Sequence, residues 1–142
     1  MSRTLTDDDY TALLGFRDEL RRFLYWSEQQ ALGAGITPAQ YQLLLAVRGH
    51  AGGAPSIGDI AEHLLLRHHS VVGLVDRAVA ADLVERRVDP EDQRLVRLRL
   101  TPRGARTLRK LAALHLEELR RMMPAISPNF VPEREPASHS RL

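Results

Sequence analysis

The sequence predicts a mainly α fold that carries one small β-hairpin, with a long helix at either end. Three observations predict it. Apolar residues recur at three- and four-residue steps through most of residues 5–123. One stretch switches to strict alternation: Val96, Leu98 and Leu100 interleave with Arg97 and Arg99, the period of a strand with one apolar and one basic face. Thr37, Ser56 and Thr101 stand just ahead of periodic runs, where their hydroxyls cap helices. At 142 residues, 44% hydrophobic and 27% charged, the chain suits one globular domain with a real core.

The first helix covers 5–32, with Tyr10, Leu13, Leu14, Leu20, Phe23 and Leu24 at helical spacing, and Gly33 and Gly35 stop it. Thr37-Pro38-Ala39-Gln40 opens the second: Thr37 caps, Pro38 suits the first turn, and Gln40 completes a capping box. Its apolar face is Tyr41, Leu44, Leu45, Ala46 and Val47. After the loop Gly52-Gly53-Ala54-Pro55, Ser56 caps a short third helix with Ile57, Ile60, Ala61 and Leu64 inside. A fourth runs from about His68 to Asp82 with Val71, Leu74, Val75 and Ala78 on one face. Only Leu65–Arg67 separate the two, so they form a helix-turn-helix candidate. Leu83–Val88 and Arg94–Leu100 flank the acidic turn Asp89-Pro90-Glu91-Asp92-Gln93 as a hairpin. Thr101-Pro102 starts a last helix reaching about Met123, with Ala105, Leu108, Leu111, Ala112, His115, Leu116, Leu119, Met122 and Met123 along its stripe. Pro124, Pro128, Pro132 and Pro136 then recur every four residues, so 124–142 reads as an irregular or disordered tail.

Composition removes several classes of function. There is no cysteine, hence no disulfide framework, thiolate metal site, or thiol nucleophile. The longest apolar run, Leu43–Val47, is far short of the roughly 20 residues that span a bilayer. The start, with Asp7, Asp8 and Asp9, does not read as a signal peptide, which leaves a cytoplasmic protein that does not enter membranes. No phosphate-cradling glycine loop, nucleophile elbow or His–carboxylate pair at metal spacing suggests an enzyme or a cofactor. His68 and His69 diverge by about 100° on a helix and His63 belongs to the preceding one, so no metal site is expected there.

The net charge is only +2, yet it is unevenly placed. From Arg86 to Lys110 nine basic residues meet three acidic ones, a local +6, and the remainder carries −4. A basic stretch in an otherwise acidic chain is an electrostatic footprint for a polyanion. Placed beside a helix-turn-helix, a basic hairpin makes a winged helix-turn-helix: the outer face of one helix enters the major groove, and the wing follows phosphates or sets an arginine in the minor groove.

Five phrases, in order, resemble the MarR family of bacterial transcriptional regulators: Ile36-Thr37-Pro38-Ala39-Gln40-Tyr41, Leu74-Val75-Asp76-Arg77, Leu83-Val84-Glu85-Arg86-Arg87, Asp89-Pro90-Glu91-Asp92-Gln93-Arg94 and Leu100-Thr101-Pro102-Arg103-Gly104. The resemblance covers about residues 5–123. It implies a single domain, 1–123, with dimerisation helices 5–32 and 102–123 around a DNA-binding core, 37–100. It further implies a homodimer on pseudo-palindromic double-stranded promoter DNA, commonly a repressor released by a small aromatic or phenolic effector. Carried onto this chain, it sets Arg67, His68, His69 and Ser70 at the start of the recognition helix, with Val72, Gly73 and Arg77 farther along its outer surface. Arg94 is the candidate for the minor groove, Arg86 and Arg97 for the backbone, and Asp76 for pairing with a wing arginine. His68 and His69 replace the small polar residues usual in the family. Tyr25, Trp26, Tyr41 and His115 are candidates for lining an effector pocket. The alternative is a winged-helix module that binds protein or ligand and has lost DNA recognition.

Overall fold

The computed structural model describes residues 3–126. Its elements follow the predicted order: α1 (Asp7–Gly33), α2 (Pro38–Gly49), α3 (Ile57–Leu64), α4 (His68–Ala80), β1 (Val84–Val88), β2 (Val96–Leu100) and α5 (Pro102–Ile126). The capping residues set the helix starts. Thr37 Oγ1 accepts from the Gln40 amide at 3.1 Å while Gln40 Oε1 accepts from the Thr37 amide at 3.0 Å. Ser56 and Asp59 repeat the arrangement at α3. Thr6 and Asp9 do so at α1, which therefore begins at Asp7, two residues later than its apolar spacing suggests. At α4 the N-cap is Arg67, and no side chain caps that helix.

The turns need unusual backbone at two non-glycine positions. Leu65 takes φ 54° between α3 and α4, and Asp82 takes φ 56°. A left-handed residue cannot continue a helix, so α4 ends at Ala80 and not at Asp82. The strands are likewise shorter than predicted, because Leu83, Arg94 and Leu95 fall in the turns on either side.

β1 and β2 pair antiparallel, with Arg86 opposite Leu98 and Arg87 opposite Arg97. One face of the hairpin thus holds Val84, Leu98 and Leu100, and the other Glu85, Arg87, Arg97 and Arg99. The Leu98 amide donates to the Pro55 carbonyl at 2.8 Å, so the loop ahead of α3 covers the outer edge of β2.

The core joins α2 to everything else: Leu43, Leu44, Ile60, Val71, Val75, Leu83, Val84, Leu98 and Leu111 are all essentially inaccessible. Leu43 is inside and Leu45 is 47% exposed, the reverse of the predicted assignment. A helix packed on several sides buries a wide arc, and apolar spacing alone does not locate its edges. At the base of the wing the Thr101 hydroxyl donates to the Asp82 carbonyl at 2.6 Å and accepts from the Gly104 amide at 3.0 Å. This pins α5 so closely to the chain at Leu83 that a Cβ on Gly104 would sit 2.0 Å from the Leu83 carbonyl oxygen.

α5 runs three residues past Met123, with Pro124 inside it, so the boundary of the tail moves to Ile126. Pro124 keeps a helical φ but forfeits its own amide bond and crowds the carbonyl one turn back, which weakens the last turn of α5. Residues 127–142, with the remaining predicted tail, lie outside the described part.

Candidate nucleic-acid interface

α4 buries Val71, Leu74, Val75 and Ala78 and turns Arg67, His68, His69, Ser70 and Arg77 to solvent, with Val72 and Gly73 half-buried between the two sides. Its free N-terminus lies beside the wing. Between α4, the start of α3 and the hairpin is a cleft of about 470 Å³. It gathers His68, Val72, Arg86 and Arg94 from the predicted set, and adds Ser56, Ile57, Gly58, Leu95 and Val96. The added five carry no local signal for a site: Ser56 reads as a helix cap, Ile57 and Val96 look like ordinary core positions, and Gly58 and Leu95 fit no periodic pattern that singles them out.

The arginines divide into two groups. Arg86 crosses from the apolar face of β1 to pair with the Asp76 carboxylate, joining wing to recognition helix. Arg94 is at the wing tip, its side chain 91% exposed, held only by a 3.2 Å contact to Asp92 of its own loop. Such an exposed pair is worth about 0–1 kcal/mol, so Arg94 can exchange partners freely. Arg97 is different. Its guanidinium donates to Asp89 at 3.0 Å and to the Ala54 carbonyl at 3.4 Å, and lies 3.9 Å from Asp59. Alternation points it away from the apolar face, as expected, and acidic groups from α3 and the wing turn engage it there, so a DNA phosphate would compete with them for its guanidinium.

This brace is a matter of stability. The backbone amide of Glu91, then Arg97 and the Asp92 amide, hold the Asp89 carboxyl below its ordinary value. The Ser56 amide is the main cause of the same shift at Asp59. Groups lowered in the folded state stabilise it above the unfolded value of about 3.9 and cease to as pH falls through the folded one. Melting temperature is therefore expected to be flat from pH 5 to 8 as far as these groups decide it, and to drop below about pH 4. Arg97→Ala is expected to lower the melting temperature at pH 7 slightly and to blunt that acid dependence in part, since the Glu91 and Ser56 amides remain. An unchanged acid limb in the variant contradicts the brace.

The aromatic candidates separate. Tyr41 stacks on His115 with ring centroids 4.4 Å apart, and Trp26 meets the same ring edge-on at 4.9 Å. Phe23, which sequence reasoning omitted from this group, joins at 5.9 Å. His115 is buried, and both ring nitrogens are engaged: Nδ1–H donates to the Leu111 carbonyl at 2.7 Å, which leaves Nε2 to accept from the Ser27 hydroxyl at 2.7 Å. Burial pushes the Tyr41 phenol up. Tyr25 is not in the cluster. One helical step of 100° from Trp26 carries it to the outside of α1, 66% exposed beside Asp18, Arg21 and Arg22.

Among the described residues no three His, Asp or Glu side chains gather as a metal cage, and no helix is long and apolar enough to cross a membrane.

Comparison with known proteins points the same way. The profile of the MarR family matches residues 34–95, which include α2, α3, α4, β1 and the wing turn but stop short of β2. An HTH-type transcriptional regulator of Bacillus subtilis, YsmB, is 33% identical over 92 residues, 65% of this chain and 62% of YsmB. The HTH-type transcriptional repressor NicR of Pseudomonas putida is 31% identical over 105 residues, 72% of this chain and 65% of NicR. The chain thus spans less than two thirds of the length of either relative. A Staphylococcus aureus MepR mutant, solved bound to an oligodeoxyribonucleotide, superposes with a TM-score of 0.65 at 22% identity, over 86% of this chain and 84% of that one.

Proposed function

We propose that this chain is a member of the MarR family and a transcriptional regulator that binds double-stranded promoter DNA as a homodimer, with α4 in the major groove and the hairpin as a minor-groove wing. One observation carries the reading. The uncapped start of α4 and the exposed Arg94, tied only to its own loop, border one cleft. A helix N-terminus without a side-chain acceptor is a seat for a phosphate oxygen. Arg67, His68, His69 and Ser70 surround that seat, Val72 offers an apolar contact to a thymine methyl, and Gly73 and Arg77 continue the surface. Arg86 belongs to the backbone-contacting set while holding the wing to Asp76.

Dimerisation rests on the outer faces of α1 and α5, where Leu13, Leu20, Leu24, Leu116 and Met123 stay about half exposed in the single chain. Monomeric proteins rarely leave so continuous an apolar surface open. That NicR is a transcriptional repressor and that a MepR mutant is bound to an oligodeoxyribonucleotide support repression by operator occupancy. An aromatic effector would act where Trp26, Tyr41 and His115 join α1, α2 and α5, since displacing one ring there shifts the dimer helices against the DNA-reading half.

A salt series on duplexes bearing inverted repeats tests this. Log affinity is expected to fall linearly with log salt, and Arg94→Ala to lower the slope by about one and weaken A·T-flanked sites by about tenfold. Affinity indifferent to salt, or absent on every duplex at low ionic strength, leaves the protein-binding alternative in its place.

A further inference from the structure

Of the nine basic residues from Arg86 to Lys110, four are tied to carboxylates: Arg86 to Asp76, Arg87 to Glu85, Arg94 to Asp92 and Arg97 to Asp89. The other five, Arg99, Arg103, Arg106, Arg109 and Lys110, are exposed, and none reaches a carboxylate among the described residues. Glu85, opposite Arg99 across the hairpin, turns to Arg87 instead. We propose that these five cations, with Arg48 of α2, hold the phosphate backbone of a second stretch of duplex DNA, independent of its sequence, on a side of the molecule away from α4.

The helix makes one surface of them. At 100° per residue, Arg103, Arg106, Arg109 and Lys110 fall within an arc of about 120°, opposite the buried Gly104, Leu108 and Leu111. They rise about 10 Å along the axis of α5, a length over which each strand of a duplex carries about three phosphates. At the foot of this ridge a cleft of about 600 Å³ sets Arg48 and Arg99 beside Val47, Leu98 and Ala105. His50 at its edge is already engaged, with Nδ1 2.9 Å from Nε2 of His63 in α3. This cleft shares no residue with the one beside α4. Arg99 also projects from the hairpin face opposite that of Arg86, which meets α4.

Without a partner the arrangement is unfavourable. α1 and α3 carry acidic residues in their first turns, where the positive end of the helix macrodipole favours them, whereas α5 carries Arg103 and no acidic residue there. Like charges side by side also repel one another. A duplex relieves both, because it offers a regular row of fully ionised groups and sheds counterions when guanidinium groups replace them. The same repulsion keeps the ridge out of a contact between copies, and it lies ahead of Leu116 and Met123 on the face proposed for the dimer. Bringing two stretches of DNA together rests on the reading of α4 given above, and the affinity of the ridge for a duplex does not.

The full chain is loaded on an immobilised random-sequence duplex, and retention of a second, labelled duplex is followed against salt. We expect capture whose log affinity falls against log salt with a slope near −4, as for four to six phosphates. An Arg103→Gln/Arg106→Gln/Arg109→Gln/Lys110→Gln variant should still bind the first duplex and lose capture by about tenfold or more. It should melt no lower than the parent, since it sheds unpaired cations from the positive end of a helix. A Ser70→Ala/Arg94→Ala variant should retain one duplex through the ridge and release it once the four glutamines are added. If α4 does not bind DNA, the parent chain holds one duplex, captures no second, and releases the first only in the glutamine variant; the ridge then stands while that reading falls. Capture unchanged in the glutamine variant, capture indifferent to salt, no binding to any duplex, or polyglutamate displacing the labelled duplex as readily as unlabelled DNA does would each overturn the assignment.

Discussion

Replacing Gly104 by Ala is expected to lower stability by about 3 kcal/mol or more, the cost of forcing a side chain into a closed backbone contact. The new Cβ would lie 2.0 Å from the Leu83 carbonyl oxygen and 2.9 Å from its carbon. Neither atom can withdraw cheaply. The Leu83 carbonyl accepts from the Thr101 amide at 3.1 Å, and the Leu83 amide donates to the Ala78 carbonyl at 2.9 Å. To admit a methyl group, the start of α5 must lift off the base of the wing and take the Thr101 bonds with it. The sign is diagnostic, because alanine for glycine within a helix ordinarily stabilises by about 0.5–1 kcal/mol. Gly73→Ala supplies the contrast. Its Cβ would meet only the Arg77 Nη1 atom, at 3.5 Å, so this variant should melt higher than the parent while Gly104→Ala melts some ten degrees lower, to order of magnitude. Equal behaviour of the two variants in thermal denaturation is incompatible with the close approach.

Glutamate introduced at both Leu13 and Leu24 is expected to convert the proposed dimer to monomer. The two leucines lie eleven residues apart, three turns along one side of α1, and are 51% and 49% exposed in the single chain. Covering a leucine contributes about 1.5–3 kcal/mol, and enclosing an unpaired carboxylate instead costs several more. Two such changes weaken association by at least about a thousandfold, at 1.4 kcal/mol per factor of ten. Sedimentation should show the shift at micromolar chain, with the circular dichroism of the helices preserved. Affinity for a double half-site should collapse to that of one half-site. Two glutamates that leave the mass in solution doubled would move the interface to another face.

Sequence legibility followed the range of the interactions. Thr37, Pro38, Gln40 and Ser56 could be read because a cap and its helix lie within four residues, and the capping boxes form as those residues imply. The hairpin was readable because alternation is local, and Asp76 does find a wing arginine, Arg86. What eluded the sequence depends on distant packing. Arg97 looks like any outward arginine until Asp59 and Asp89 arrive from elsewhere in the chain. Tyr25 and Trp26 are neighbours in sequence and on different sides of α1. The cleft beside α4 needs three elements at once, and the meeting of His50 and His63 needs α2 and α3 already docked. Thr6 is the exception: its Asp9 partner is local, but the apolar spacing beginning at Leu5 obscures it.

The missing cap on α4 carries a consequence for recognition. α1, α2 and α3 each carry a side-chain oxygen that fastens their opening turn, so those turns are rigid before any encounter. The opening turn of α4 has no such fastening. The Ser70 and Val71 amides bond to the Arg67 carbonyl, so it is the His68 and His69 amides that await an external oxygen, and on the proposed reading deuterium is expected to enter there faster in the free protein than in a DNA complex. A duplex whose groove presents that oxygen at the right height gains the ordered turn, and one that does not must leave it loose. If the proposed reading holds, discrimination between sites draws partly on the ordering of this one turn.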